Sequence, residues 1–530
     1  MAVVSEKPAG FAELSKNKRV LAWCKYCSRL IIFLAGTESD RTPSTGLLIF
    51  ILPINFGYEL ALVGNILAIP AFLDRFGTTT TSGIKEIPAH DQQILNASTT
   101  VGIVLAAYCT GFISDIIGRR MVVICGCILC IAGIIVQGFS NSILMLFGGK
   151  LISTVGYGLG HALGPVYVAE IAPDSLRGVC LILINTMIVI GQWSCALVGY
   201  GGSFIRSDWG WRLPVLAQLA PPFLMLVLGG ILLPESPSWL LMKGKREEAG
   251  KSLRKFNGPR HNVEESLAIM EATLGKEKAL SQGGASYLDC FRGTNLRRTT
   301  IVCVVYLTQQ FAGAQLVVGY LSYFFTIAGV GNPIGIAQVC YSIQLLGNIC
   351  SWFLVERVGR RPLIVWGTVA MTALLLVIGG LGVPKSNQSA LTAMVALMAL
   401  WGFIFQLSIG AVGYAVGGET ASPRLRQKTY SINVMSNTAA ACLVTQLMPF
   451  LINPSNANLG GKVAFVFFGP SLLCSIYLYF CFPEMKGRSY LELENMFQKR
   501  LPTREFKNYR SEIETIEVDD GEKVAVVLKD

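Results

Sequence analysis

Two charged side chains stand where charge is expensive. Glu59 lies in F-G-Y-E-L-A-L-V-G (56–64) and Lys150 in G-G-K-L-I-S-T-V-G-Y-G (148–158), both within apolar stretches. An ionisable group inside a membrane helix costs about 3 kcal/mol or more unless paired, and marks a functional site by default. The opposite signs allow the two to pair. A second set is uncharged. Asn185 and Gln192 are seven apart and share a helix face, and they are joined by Gln309, Gln310, Gln315, Gln344, Phe405, Gln406, Tyr414, Asn433 and Asn437. Amides donate and accept, which suits a neutral polyhydroxylated ligand, while aromatic faces suit the apolar side of a pyranose. An anionic substrate would need several buried cations, and Lys150 alone is at hand. The competing reading is interhelical amide glue; six or more amides would then need mutual partners.

A third set repeats. D-I-I-G-R-R (115–120) matches E-R-V-G-R-R (356–361), E-I-A-P-D-S-L-R (170–177) matches E-T-A-S-P-R-L-R (419–426), and P-E-S-P (234–237) matches P-E-M-K-G (483–487). The offsets are 241, 249 and 249 residues. Each motif sets a carboxylate beside or near a guanidinium: Asp115, Glu170, Glu235, Glu356, Glu419 and Glu484 with Arg119, Arg120, Arg177, Arg360, Arg361 and Arg426. Two halves that rock against each other need contacts that hold one state and release in the other, and ion pairs at one face supply such a bias. Topology alone would require only the cations.

These residues need elements to hold them. Of 530 residues, 52 % are apolar and 15 % charged, with a mean hydropathy of +0.52. A soluble chain carries nearer a quarter charged residues, so the composition demands a bilayer. Windows of about 20 residues give twelve expected spans: 46–70, 95–114, 121–139, 145–171, 178–200, 212–233, 300–328, 334–355, 363–383, 391–415, 428–452 and 463–482. The fold class is therefore all-α, a polytopic membrane protein of two six-helix bundles, 46–233 and 299–482. A polar linker with short helices (234–298) joins them, between an N-terminal segment (1–45) and a charged tail (483–530) expected to be solvated and partly disordered. With both ends and the linker on one side, 37 of the 44 Lys and Arg fall there and 6 opposite, which makes that side cytoplasmic. The net charge of +11 then reflects topology, not nucleic-acid binding.

The six ordered motifs resemble those of the sugar porter family of the major facilitator superfamily over nearly the whole chain except its ends. The resemblance implies a substrate site at the bundle interface, an alternating-access cycle, a small-molecule sugar as cargo, and function as a monomer in the plasma membrane. Proton-coupled members carry an Asp at the position of Glu59 and an Arg at that of Lys150, so Glu59 would be the proton carrier and Lys150 the cation that tunes it. Lys lacks the planar fork of Arg, so the pair geometry must differ. The family's double glutamine is kept as Gln309 and Gln310, but its following asparagine is Gln315, its span-five glutamine is Asn185, its span-ten tryptophan is Tyr414, and Val434 replaces another tryptophan. Spans one and seven look closest to fungal alpha-glucoside permeases.

No soluble segment carries a nucleophile–base set, a phosphate loop or a cofactor motif, so no enzyme is expected. Cys24 and Cys27 form a lone C-x-x-C without a second ligand pair, and the other cysteines read as reduced apolar residues. No cleavable signal peptide is visible. Two sequons, at Asn96 and Asn387, fall opposite the linker, the first too near the membrane for glycosylation. His161 reads as a hydrogen-bonded helix histidine. A facilitative uniporter and a non-transporting sugar sensor share the fold and remain alternatives to a proton symporter.

Overall fold

The computed structural model describes residues 48, 50–79, 85–171, 177–257, 263–268, 270–271, 287–384, 387–420, 425–486, 490–507, 509, 513–518 and 522–527. Cys24 and Cys27 lie outside them.

Helices cover all twelve expected spans. Nine helices among the described residues are long and apolar enough to cross a membrane, ten if the bent pair Ile51–Ile66 and Pro70–Phe76 is one span. The two further spans are Ala89–Ile117 and the broken run Gly293–Ile327. Inside hydrocarbon every backbone N–H and C=O must be satisfied within the segment, which is why apolar runs of this length become helices. The 67° bend in span one falls at Pro70, which has no N–H to continue the ladder.

Three spans are interrupted. Wider π-type turns occur at Met225–Gly229 in span six, Gln315–Gly319 in span seven and Gln406–Gly410 in span ten. Such turns free backbone carbonyls and recur at functional sites. Here side chains collect them: Gln309 donates to the Ile409 carbonyl at 2.9 Å and Tyr341 to that of Val318 at 2.6 Å.

Close helix contact depends on glycine. A Cβ on Gly57 of span one would meet the Ile188 carbonyl of span five, and one on Gly191 would meet the Ile54 carbonyl in return. Small residues that let backbones touch are how helices associate in lipid, where burial gives no hydrophobic gain.

Outside the spans, the linker helices Pro237–Met242 and Arg246–Asn257 share a small core of Leu240, Ala249, Leu253, Val263 and Leu267. Trp239 anchors them by donating its indole N–H to the Asp115 carbonyl at 3.1 Å. The tail departs from expectation. Its helix Tyr490–Gln498 docks, with Met496, Phe497 and Phe506 buried. Arg297, at the start of span seven, donates to the Leu501 carbonyl at 2.7 Å and the Thr503 hydroxyl at 2.9 Å, and Arg298 sits 4.5 Å over the Phe497 ring. Cation–π contact and buried aromatic area hold a segment whose net charge alone suggested solvation. Short antiparallel hairpins, Thr78–Thr79 with Lys85–Glu86 and Ile513–Val518 with Glu522–Val527, complete the chain.

On the side away from the linker, polar side chains bridge the bundles. Asn96 donates to the Tyr320 hydroxyl at 2.6 Å and to the Thr445 carbonyl, Gln92 to Tyr323 and Asn453, and Gln93 and Gln446 each donate to the other's carbonyl. Ser322 donates to Asn65 at 2.7 Å. Asn96, buried in this contact, is closed to glycosylation. Asn387 is exposed and caps span ten through the N–H groups of Ser389 and Ala390.

Candidate functional site

Glu59 and Lys150 meet. The Lys150 ammonium donates to Glu59 Oε1, and both side chains are almost fully buried. The second carboxylate oxygen accepts from Gln218 Nε2 at 2.7 Å. Spans one, four and six thus each supply one member of a closed polar cluster within the first bundle. Two charges in low dielectric attract strongly, and removing one partner of such a pair typically costs 3–5 kcal/mol, so the cluster ties its three helices together. Gln218 was not among the residues singled out from the sequence; its place, one turn before Pro221-Pro222 in a broken span, is the signal that points to it.

The amides gather at the bundle interface and on the second bundle's side of it. Asn185 of span five donates to Gln406 Oε1 at 3.1 Å across the interface, and Asn348 reaches the same oxygen at 3.4 Å. Thr186, Asn348 and Trp352, absent from the sequence reading, form a second crossing at 2.6 and 3.0 Å. In the second bundle Gln310 donates to Asn437 at 3.0 Å and accepts from Gln315 at 3.4 Å. Gln309 is tied to span ten as described. Asn433 is fully buried beside the Tyr306 hydroxyl, and neither of its amide atoms completes a hydrogen bond among the described residues. Gln192 and Gln344 are also buried, each with an unpartnered side-chain oxygen, Gln344 donating weakly to Val317 at 3.5 Å.

Aromatic faces border these amides: Phe405 stacks on Trp401 with ring centroids 5.2 Å apart, and Tyr414 meets Tyr306 edge-on at 5.9 Å. For His161, expected to be a hydrogen-bonded helix histidine, the described residues show a ring contact. Its ring lies flat on Phe56 at 3.7 Å, joining spans four and one. Buried amides with spare acceptors are costly and are the groups a hydroxylated ligand can satisfy.

The charged motifs at the linker face form a mirrored arrangement. Glu235 accepts from the backbone N–H groups of Arg119, at 2.8 Å, and Arg120, while Glu484 accepts from those of Arg360, at 3.0 Å, and Arg361. Each carboxylate caps the start of a helix, span three or span nine, where free N–H groups and the helix dipole favour negative charge. In return Arg120 donates to the Gly230 carbonyl and Arg361 to that of Tyr479 at 2.9 Å, near the ends of spans six and twelve. The turns require Gly118 (φ 93°) and Gly359 (φ 106°), where a Cβ would strike the capping carboxylate. Asp115 pairs with Arg119 at 3.0 Å in its own bundle and stays largely exposed. The side chains of Glu170, Arg177, Glu356, Glu419 and Arg426 lie outside the described residues. Each of these contacts lies within one bundle.

Capping predicts a stability phenotype. Glu484→Ala should cost about 1–2 kcal/mol, lowering the melting temperature and the amount of folded carrier. Half-saturation in the surviving molecules should stay within twofold. A large change in half-saturation with unchanged melting would show that Glu484 acts on the transport cycle instead.

Similarity to known proteins agrees with this geometry. A family model described as "Sugar (and other) transporter" matches residues 46–497. The general alpha-glucoside permease of Saccharomyces cerevisiae is 30% identical over 459 residues, covering 85% of this chain and 74% of that protein. The maltose permease MAL61 of the same yeast is 29% identical over 466 residues, covering 86% and 75%. Among solved structures, the proton:xylose symporter XylE bound to a bromodeoxyglucose superimposes with a TM-score of 0.69 at 21% identity, over 86% of this chain and 98% of that one. With the two six-helix bundles, the repeated motifs and the match over most of its length, the chain belongs to the sugar transporter family of the major facilitator superfamily and is a membrane transporter, not an enzyme.

Proposed function

We propose that the chain imports a neutral sugar, an alpha-glucoside or a hexose, together with a proton, across the plasma membrane by alternating access, with both termini and the linker in the cytoplasm. The observation that carries the coupling is the buried Glu59–Lys150–Gln218 cluster. With Glu59 ionised, the pair is neutral overall and ties spans one and four. A proton on Glu59 cancels the attraction, frees Lys150 and leaves one net positive charge in the bundle. The loaded carrier therefore moves charge inward, and the membrane potential drives it with about 2.3 kcal/mol per 100 mV.

Sugar hydroxyls pair with the amides of Gln309, Gln310, Gln315 and Asn433 from the second bundle and Asn185 and Gln192 from the first, while Phe405 and Tyr414 face the ring's apolar side. Closure toward the outside uses the amide and hydroxyl bridges between spans one and two and spans seven and eleven. Opening on the cytoplasmic side separates the repeated charged motifs. The alpha-glucoside reading is favoured by the yeast relatives, a general alpha-glucoside permease and a maltose permease.

The test is uptake in a transport-null host. Labelled maltose uptake should collapse on adding an uncoupler, and unlabelled alpha-glucosides should compete more effectively than pentoses. Uptake that survives the uncoupler would mean a uniporter. Binding without any uptake would mean a sensor.

A further inference from the structure

A small cleft opens inside the first bundle, between spans one, three, four and six and apart from the bundle interface. Of its lining residues only Ile51 and Leu52, near the cytoplasmic end of span one, and Pro221 are half-buried, so the cleft opens past them. Asn55, Cys130 and Tyr157 belong to the buried part of the lining. It has room for about one water molecule.

Three features tie this cleft to Glu59. Asn55 is one helical turn from Glu59 toward the cytoplasm, and Pro221 is one turn from Gln218. The Tyr157 hydroxyl faces the Glu59 carboxylate and donates to Thr154 at 2.8 Å. Asn55 is 4 % exposed; its Nδ2 donates to the Cys130 sulfur at 3.7 Å, and its Oδ1 has no partner among the described residues. A buried carbonyl oxygen without a donor is a costly arrangement unless it serves a water, which needs two to four polar partners; Asn55 and Tyr157 supply them. The groups facing Glu59 from the packed elements are Lys150 and Tyr157 of span four, Gln218 of span six, Cys130 of span three, Cys195 of span five and its own neighbour Tyr58. None of these groups is a second carboxylate that could take the proton.

We infer that this cleft is a proton exit separate from the sugar route: Glu59 gives its proton to a water held by Asn55 and Tyr157, and the proton leaves to the cytoplasm past Ile51 and Leu52. The carboxyl O–H breaks, the water gains and passes on the proton, and the Glu59 carboxylate re-forms its pair with Lys150. Sugar and proton then share a carrier but not a passage. This rests on the symport reading above.

Asn55→Leu removes the oxygen and fills the cleft. Net uphill uptake should fall about tenfold, while exchange of labelled for unlabelled sugar, which needs no deprotonation, stays within twofold of wild type. Asn55→Ser, which keeps an oxygen, should recover at least half of the net rate. If Asn55→Leu does not reach the surface, Ile51→Trp at the mouth should give the same selective loss. Net uptake unchanged in both Asn55→Leu and Ile51→Trp, or net uptake and exchange lost equally, overturns the passage while leaving coupling intact if wild-type uptake still responds to an uncoupler. A wild type indifferent to the uncoupler overturns both.

Discussion

Glu59→Gln is expected to abolish accumulation against a gradient, reducing the inside-to-outside ratio of labelled sugar to about one, while exchange persists. Glutamine mimics the protonated carboxyl in shape and can still meet Gln218, but it cannot cycle a proton. The same change strands Lys150 as a buried cation, a penalty of about 3–5 kcal/mol, and this would lower the amount of folded carrier. The double variant Glu59→Gln/Lys150→Met removes that penalty, so its abundance should recover while accumulation does not. Measuring surface protein alongside the accumulation ratio separates lost coupling from lost folding. Uphill uptake in either variant at the wild-type ratio would remove Glu59 from the coupling step.

Gln310→Ala is expected to weaken apparent sugar affinity by about ten- to a hundredfold. Losing one hydrogen-bond partner for a buried hydroxyl costs roughly 1–3 kcal/mol, which is that range of binding constants. The structure sharpens the expectation, because Gln310 is the centre of a chain from Gln315 to Asn437. Removing it also leaves Asn437 free to turn away, so Asn437→Ala should weaken affinity further in the single variant than in the Gln310→Ala background. If these amides only join helices, both variants would lower folded protein and leave half-saturation unchanged.

The architecture was legible because bilayer thickness is a ruler: each expected span of about 20 apolar residues coincides with helix. The pairing of Glu59 with Lys150 was also readable, since a charge in an apolar run needs a partner and only these two were available. Gln218 escaped notice because a lone glutamine in a span reads as ordinary helix contact, and only three dimensions place it on the free oxygen of Glu59. The bridging residues Gln92, Gln93, Asn96 and Asn453 sit near span ends, where polar residues are unremarkable in sequence, so nothing distinguished them from solvated positions. The π turns left no trace in hydropathy, because an extra residue in a turn does not alter composition. Glu235 and Glu484 stood out as a repeated pair among the charged motifs; in the structure both accept from backbone N–H groups. A carboxylate three spans away in sequence from the helix it caps cannot be recognised by local capping rules.

Among the described residues the closure on the far side of the membrane is built mostly from amides, hydroxyls and carbonyls, with one carboxylate, Glu86, accepting from the Ser455 N–H at 3.4 Å. Dissolved ions screen charge–charge attraction over about a nanometre but act weakly on neutral hydrogen bonds. On the proton-coupled reading proposed above, salt in the medium on that side therefore leaves most of this closure untouched, while the proton gradient sets how hard the carrier is driven. Throttle and latch then answer to different chemistry.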